Sequence, residues 1–402
     1  MDYASKRLKK MDDATPSSST PATSIASLPQ EIILKILTSL PPKSAFSFRC
    51  TSKFFHSSIP QPHFKFRILF SFSFANNPTN LYTVGYTTEE SHGRLQPSSL
   101  PCSADELQHF KRRLHGSSFA DGKLCLFNSN GGISILDLST RQYISLPQTF
   151  VEPGDPWEKI IFFGAALSFD PVSKRYKVWK SELYLNNTHH YSSQGMLKVL
   201  TLGVDESWRA VTTENTFHPR KSKTIACVQI DGIIYLINFK INYRNEQEIA
   251  VFDIVTENLI RVIPFPYRFQ HRVWPKAYYS SWVKLNGQLA YIYVDLIERT
   301  RIFVCTLEKS LGPVWDKHEV PLTLEAAKII SEAEFVGITT NSIGEIVFLI
   351  RVERMPPSIL IYACGTKVWR KFEICGLPSY SSFVNLRRII VHVIEEKVYF
   401  SE

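Results

Sequence analysis

No run of apolar residues in this chain approaches the roughly 20 needed to cross a bilayer as a helix. The longest apolar-rich stretch covers only residues 160–169. Residues 1–24 are polar and carry no apolar core of the signal-peptide kind, which points to an intracellular chain without a membrane partner. Seven cysteines are present but no CxxC pair, so a disulfide framework and a cysteine-rich zinc site are both disfavoured. The thiols read as small buried hydrophobes. No G-x-S-x-G, H-E-x-x-H or phosphate-binding P-loop occurs. His189 and His190 are adjacent, and adjacent side chains in an extended segment point to opposite faces, a poor arrangement for sharing a metal. The expectation is a protein with no catalytic residue, no metal and no cofactor.

The residues present fit a globular chain. Hydrophobic residues are 44% of 402 and charged residues 21%, with 27 Phe and 17 Tyr, types that favour strands. Net charge is +9, yet the basic residues are dispersed. The densest group is Lys6, Arg7, Lys9 and Lys10, in a Ser/Thr/Pro-rich tail (1–24) too polar to fold. It reads as a solvated tail or as a nuclear-import patch, placing the protein in the cytoplasm, the nucleus or both.

Residues 25–65 are helical in pattern. Pro29 suits a first helical position and Glu31 the first turn. Ile32, Ile33, Ile36, Leu37 and Leu40 recur at three- and four-residue steps as one apolar stripe, and Pro41-Pro42 stops the helix. Short helical stretches follow over 43–50 and 51–58. About forty residues make a poor independent core. Amphipathicity alone leaves two readings of the stripe: it meets a partner, or it packs on the rest of the chain.

The residues of 28–64 resemble the plant F-box. Leu28-Pro29, Glu31-Ile32, Ile36-Leu37, Leu40-Pro41, Lys43-Ser44, Arg49-Cys50, Ser52-Lys53 and Pro62-x-Phe64 fall in that family's order. Pro42 after Pro41, and Phe55 where Trp is common, are mild departures. The resemblance implies docking onto a Skp-type adaptor, and through it onto the cullin and RING subunits of a ubiquitin ligase. It assigns adaptor contact to Leu28, Pro29, Ile32, Ile36, Leu37, Leu40 and Pro41, with Lys43, Arg49 and Lys53 nearer the rim. Some of the apolar residues must instead hold the helices together.

From residue 66 to 402 the periodicity changes to two. Short β-rich runs such as KLCLF, GISILDL, IIYLINF and EIVFLIRV are separated by turn signals. First-hairpin turns at Asp121-Gly122, Asp170-Pro171, Asp231-Gly232, Asn286-Gly287 and Ile343-Gly344 lie about 50 to 60 residues apart, close to the kelch-type period of roughly 50. Four strands per repeat indicate a β-propeller. Five repeats are visible, and a sixth can be assembled from strands just after residue 62 and at the C-terminus, closing the ring. The predicted fold is thus α plus all-β: three short helices, then about six four-stranded blades. A two-sheet sandwich assembly is the alternative.

This half also resembles the plant F-box-associated interaction domain. The resemblance rests on Gly122-x-Leu124-Cys125-Leu126, Leu146-Pro147, Asp170-Pro171 with Tyr176-Lys177-Val178, Trp208-Arg209, Phe252-Asp253, Gly344-Glu345-Ile346-Val347 and Trp369-Arg370. Asp137-Leu138 replaces the family's Asn-Pro, a change expected to loosen one turn. Trp179, Trp208, Trp282, Trp315 and Trp369 read as blade-packing residues.

Long second-hairpin loops and blade connections should gather on one propeller face, where an unidentified protein substrate would bind. The segment 264–278 joins Phe265, Tyr267, Phe269 and Trp274 to Arg268 and Arg272, types enriched at interfaces. It suits an acidic or phosphorylated peptide; the alternative is that its aromatics tuck between blades. One such loop is thin support for nucleic acid, which is disfavoured. The reading is a substrate receptor of a Skp–cullin–F-box ligase; the alternative is a propeller scaffold without ubiquitin transfer.

Overall fold

The computed structural model describes residues 27–40, 44, 51, 53, 55, 62–72, 80–100, 114–150, 159–185, 193–211, 222–240, 247–265, 278–295, 301–308, 314–352, 355–377 and 391–400. Helix α1 (Gln30–Thr38) takes Pro29 as its N-cap rather than as its first helical residue. The Pro29 carbonyl accepts from the Ile32 and Ile33 amides, and proline's missing N–H would have had no helical partner there anyway. The two further helical stretches expected at 43–50 and 51–58 lie outside the described residues, apart from Ser44, Thr51, Lys53 and Phe55.

Six antiparallel sheets follow. The first blade holds β1 (Pro62–Phe72), β2 (Asn80–Thr87) and the two-residue β4 (Ser98–Ser99), while β3 (His92–Leu95) leaves it for another blade. The second holds β5 (Leu114–Ala120), β6 (Lys123–Asn128), β7 (Ile133–Asp137) and β8 (Tyr143–Ser145). The third holds β9 (Lys159–Asp170), β10 (Arg175–Leu185), β11 (Ser193–Thr201) and β12 (Arg209–Ala210). The fourth holds β13 (Ser222–Ile230), β14 (Ile233–Lys240), β15 (Gln247–Asp253) and β16 (Leu259–Pro264). The fifth holds β17 (Tyr278–Leu285), β18 (Gln288–Asp295), β19 (Arg301–Leu307) and β20 (Trp315–Glu319). The sixth holds β21 (Glu334–Thr340), β22 (Glu345–Arg351), β23 (Ser358–Ala363) and β24 (Val368–Ile374), with β3 added in parallel as a fifth strand.

The C-terminal β25 (Val391–Phe400) pairs with β1 and becomes the innermost strand of blade 1. The ring is therefore closed by the two ends of the domain, as the sequence predicted, and its first and last edges are hidden. His392 of β25 meets Ser117 of β5 at 2.9 Å, and its ring lies 5.9 Å from that of Phe119. On the other side Gly337 of β21 lies so close to Val391 that a β-carbon there would collide with it. Helix α1 lies beside β25.

Both faces of most blades are buried, because each is flanked by two others. Val178 and Trp179 show the consequence of the period of two: Val178 packs toward blade 2 and Trp179 toward blade 4. Each of the six blade interfaces has its own apolar cluster. All five tryptophans expected to pack between blades belong to these clusters.

Helix α2 (Leu324–Glu332), between β20 and β21, was not anticipated. Its signals are local. Thr323 caps it by accepting from the Ala326 amide, Glu325 sits in the first turn, and Ala326 with Ile330 anchors it to blades 5 and 6.

Candidate functional site

Helix α1 divides the apolar stripe into two sets. Ile33 (4% exposed) and Leu37 (1%) turn inward and cluster with Leu28, Leu34, Leu40 and Phe55. Ile32 (46%) and Ile36 (47%) stand open to solvent. Each pair is spaced i, i+4, and the two pairs are offset by about 100° around the helix. Leu37, assigned to the adaptor from the sequence, is thus enclosed by its own chain, and its role is to hold the helix down. Leu28 and Leu40 are half-buried in the same cluster, while Pro29 and Lys53 are exposed. Pro41, Lys43 and Arg49 lie outside the described residues.

The propeller has two unlike faces. On one, short hairpin turns gather. Asp121-Gly122, Asp231-Gly232 and Asn286-Gly287 all have positive φ at both positions, the type I′ geometry that glycine and Asn/Asp permit. The turn between the third and fourth strands joins them there: the Leu138 amide donates to the Gly122 carbonyl, and Ile254 to Gly232. Asp137 does not loosen its turn as expected. Its Oδ1 accepts from the Ser139 amide, the Ser139 hydroxyl and the Thr140 amide. Lys123 pairs with it as well, and the two side chains hold its carboxyl well below the usual carboxylate range.

On the other face lie the blade connections and second-hairpin loops. β10 runs to Leu185 and β11 starts at Ser193. Of the candidate substrate residues, Phe265 is half-buried, with its ring 5.3 Å from Trp282 and 5.2 Å from Tyr291 of blade 5. It packs between blades, the alternative that the sequence left open. Tyr267, Arg268, Phe269, Arg272 and Trp274 lie outside the described residues.

Two comparisons decide the family. Residues 25–67 match the F-box domain, and residues 67–398 match the F-box associated beta propeller domain. The chain belongs to the F-box associated beta propeller family. Its curated relatives include the Arabidopsis thaliana F-box protein At1g67130, 26% identical over 91% of this chain and 77% of that one. The putative F-box protein At1g30920 of the same plant is 27% identical over 84% of each chain. The Dos1 propeller, at 11% identity, covers 79% of this chain and 70% of its own with a TM-score of 0.36, too low to carry an argument. F-box domains in general bind Skp-type adaptors, and F-box proteins in general serve as non-catalytic substrate receptors.

Within this F-box propeller, several marked residues turn out to latch blades. Trp208 Nε1 donates to the Pro147 carbonyl at 2.7 Å, and Trp369 Nε1 to Pro321 at 2.9 Å. Each joins a blade to the last strand of the one before it. Arg209 bridges Asp205 and Glu257, tying blade 3 to blade 4. Arg370, buried, pairs with buried Glu345 and donates to the Thr87 carbonyl at 2.8 Å, tying blade 6 to blade 1.

One cluster escaped the sequence entirely. Lys180 and Glu182 on β10 are buried together 2.7 Å apart, with Lys198 3.3 Å from the same carboxyl. Burial pushes the Lys180 ammonium down. Burial also raises the Glu182 carboxyl, but the two lysines outweigh this and hold it low. Lys180 also donates to Thr149, which follows blade 2, so the cluster fastens neighbouring blades.

Proposed function

We propose that this chain is the substrate-recognition subunit of a Skp–cullin–F-box ubiquitin ligase. Helix α1 docks the Skp-type adaptor, the adaptor brings the cullin and RING subunits, and the propeller presents a protein substrate. The observation that carries this is the pair Ile32 and Ile36, two large apolar side chains left open on the one described helix of an F-box. An amphipathic helix seated in a groove obtains most of its binding energy from a few such anchors. Catalysis then needs only proximity: tethering raises the effective concentration of substrate lysines near the charged conjugating enzyme.

Co-expression with a plant Skp-type adaptor tests it. The wild-type chain should co-elute with the adaptor as a one-to-one complex, and an Ile32→Glu, Ile36→Glu variant should elute alone with unchanged melting. A folded wild type that ignores the adaptor would sink the reading and favour a scaffold without ubiquitin transfer.

A further inference from the structure

Between blades 1 and 2 a cleft of about 340 Å³ opens beside the strand that leads out of the F-box. Lys65 and Arg67 of β1 line it, with Thr83 of β2, Ser98 and Ser99 of β4, and Arg141 from the β7–β8 turn of blade 2. Its described lining contains three cationic residues and no carboxylate; Thr83 and Ser98 are cross-strand partners on one face, while Ser99 turns to the other. Arg141 is held there by its backbone: φ is 60°, and its amide donates to the Asp137 carbonyl at 2.8 Å. Among the described residues neither Lys65 nor Arg141 has an ion-pair partner. In the β1–β25 register Arg67 stands opposite Glu395 and Lys65 opposite Lys397.

Gly85 forms part of the same wall. A β-carbon there would meet nothing closer than 3.7 Å, so a side chain is sterically tolerable on the fold. The cleft is open at this point because the residue is glycine, not because the backbone demands one.

We propose that this cleft binds the phosphoryl group of a phosphorylated peptide. A carboxylate offers two acceptor oxygens, while a phosphoryl group offers three and carries about −1.5 to −2 charge at neutral pH. That matches cationic and hydroxyl residues contributed by two blades, with Arg141 able to donate in bidentate fashion. The bounded volume suits one phosphorylated side chain. A nucleic acid would instead need a basic track spanning several phosphates. Taking the peptide to belong to a substrate rests on the receptor reading above; the phosphoryl site itself does not.

The test uses the full chain and the labelled peptide Gly-Ala-phosphoserine-Ala-Gly beside its unphosphorylated twin. Inorganic phosphate and a single-stranded oligonucleotide serve as competitors. The phosphopeptide should bind, the twin should not, and inorganic phosphate should displace the first. Lys65→Gln and Arg141→Gln, both on exposed residues, should each weaken binding about ten-fold, the loss expected for a charge-assisted hydrogen bond. Gly85→Leu should weaken it at least as much by filling the cleft with every charge retained. Equal binding of the two peptides, wild-type affinity in all three variants, or an oligonucleotide that outcompetes phosphate with steep salt dependence would each overturn the site. Adaptor co-elution separates the claims: a wild-type chain that co-elutes with the adaptor yet binds no phosphopeptide counts against the cleft alone. A chain that binds the phosphopeptide yet ignores the adaptor counts against the receptor reading alone.

Discussion

The F-box and the propeller are stabilised in opposite ways. In the described part of the F-box, two side chains of one helix are fully enclosed and two equally large ones face water. In the propeller, six apolar clusters close six interfaces, and even charged residues such as Lys180, Glu182, Glu345 and Arg370 are buried with their partners. The first region leaves apolar surface uncovered, as a docking element does. In the second, the blade interfaces are closed, and exposed apolar side chains such as Ile144, Ile260 and Val368 stand singly on the outer strands of different blades, as on a rigid platform.

The comparison can be broken most forcefully at the ring's closure. Arg370→Ala strands the buried Glu345 carboxylate and frees two carbonyl acceptors, so it should cost about 3–5 kcal/mol in chemical denaturation. Glu345→Gln combined with Arg370→Met should recover part of that. Leu37→Ala should remove about 2–4 kcal/mol from the F-box, read as loss of protection in α1 amides, while Ile36→Ala should leave them unchanged.

A pH effect is expected in the propeller. Burial holds His392 at about 4, against an ordinary 6.5. The unfolded chain therefore takes up the proton first as pH falls. The stability this group contributes is complete above about 6.5 and is lost between there and about 4, up to about 3 kcal/mol. A His392→Gln variant should flatten melting temperature across that window; an unchanged slope would contradict the assignment. The smallest effect expected is at the latches. Trp208→Phe and Trp369→Phe each delete one hydrogen bond and should cost about 1 kcal/mol apiece, additively because the sites are distant.

Much of this was legible in the sequence, for identifiable reasons. Asp121-Gly122, Asp231-Gly232 and Asn286-Gly287 announce hairpins by local chemistry alone, so the repeat and the ring closure could be counted. The stripe on α1 was legible as a helix, but not its division. Ile32, Ile33, Ile36 and Leu37 are alike in hydropathy, and it is packing with Leu28, Leu34, Leu40 and Phe55 that turns Ile33 and Leu37 inward. Helix α2 was missed although Thr323, Glu325 and the Ala326/Ile330 spacing signalled it, because a nine-residue helix inside a connection offers few apolar repeats. The Lys180–Glu182 cluster was illegible for a different reason. From the sequence the strand ends with RYKVW and a loop follows from Ser181, whereas β10 continues to Leu185 and its charged residues are buried because another blade covers them. The basic cleft likewise draws on residues from β1 and from Arg141 of the next blade, a meeting that no local pattern encodes.

The central claim is that α1 supplies the grip and the propeller the platform. Hydrogen exchange on the full chain with and without a Skp-type adaptor addresses it most directly. The account predicts added protection in the amides of 30–38 and unchanged exchange through the blade strands. Protection appearing in the blades while α1 exchanges as before would contradict it.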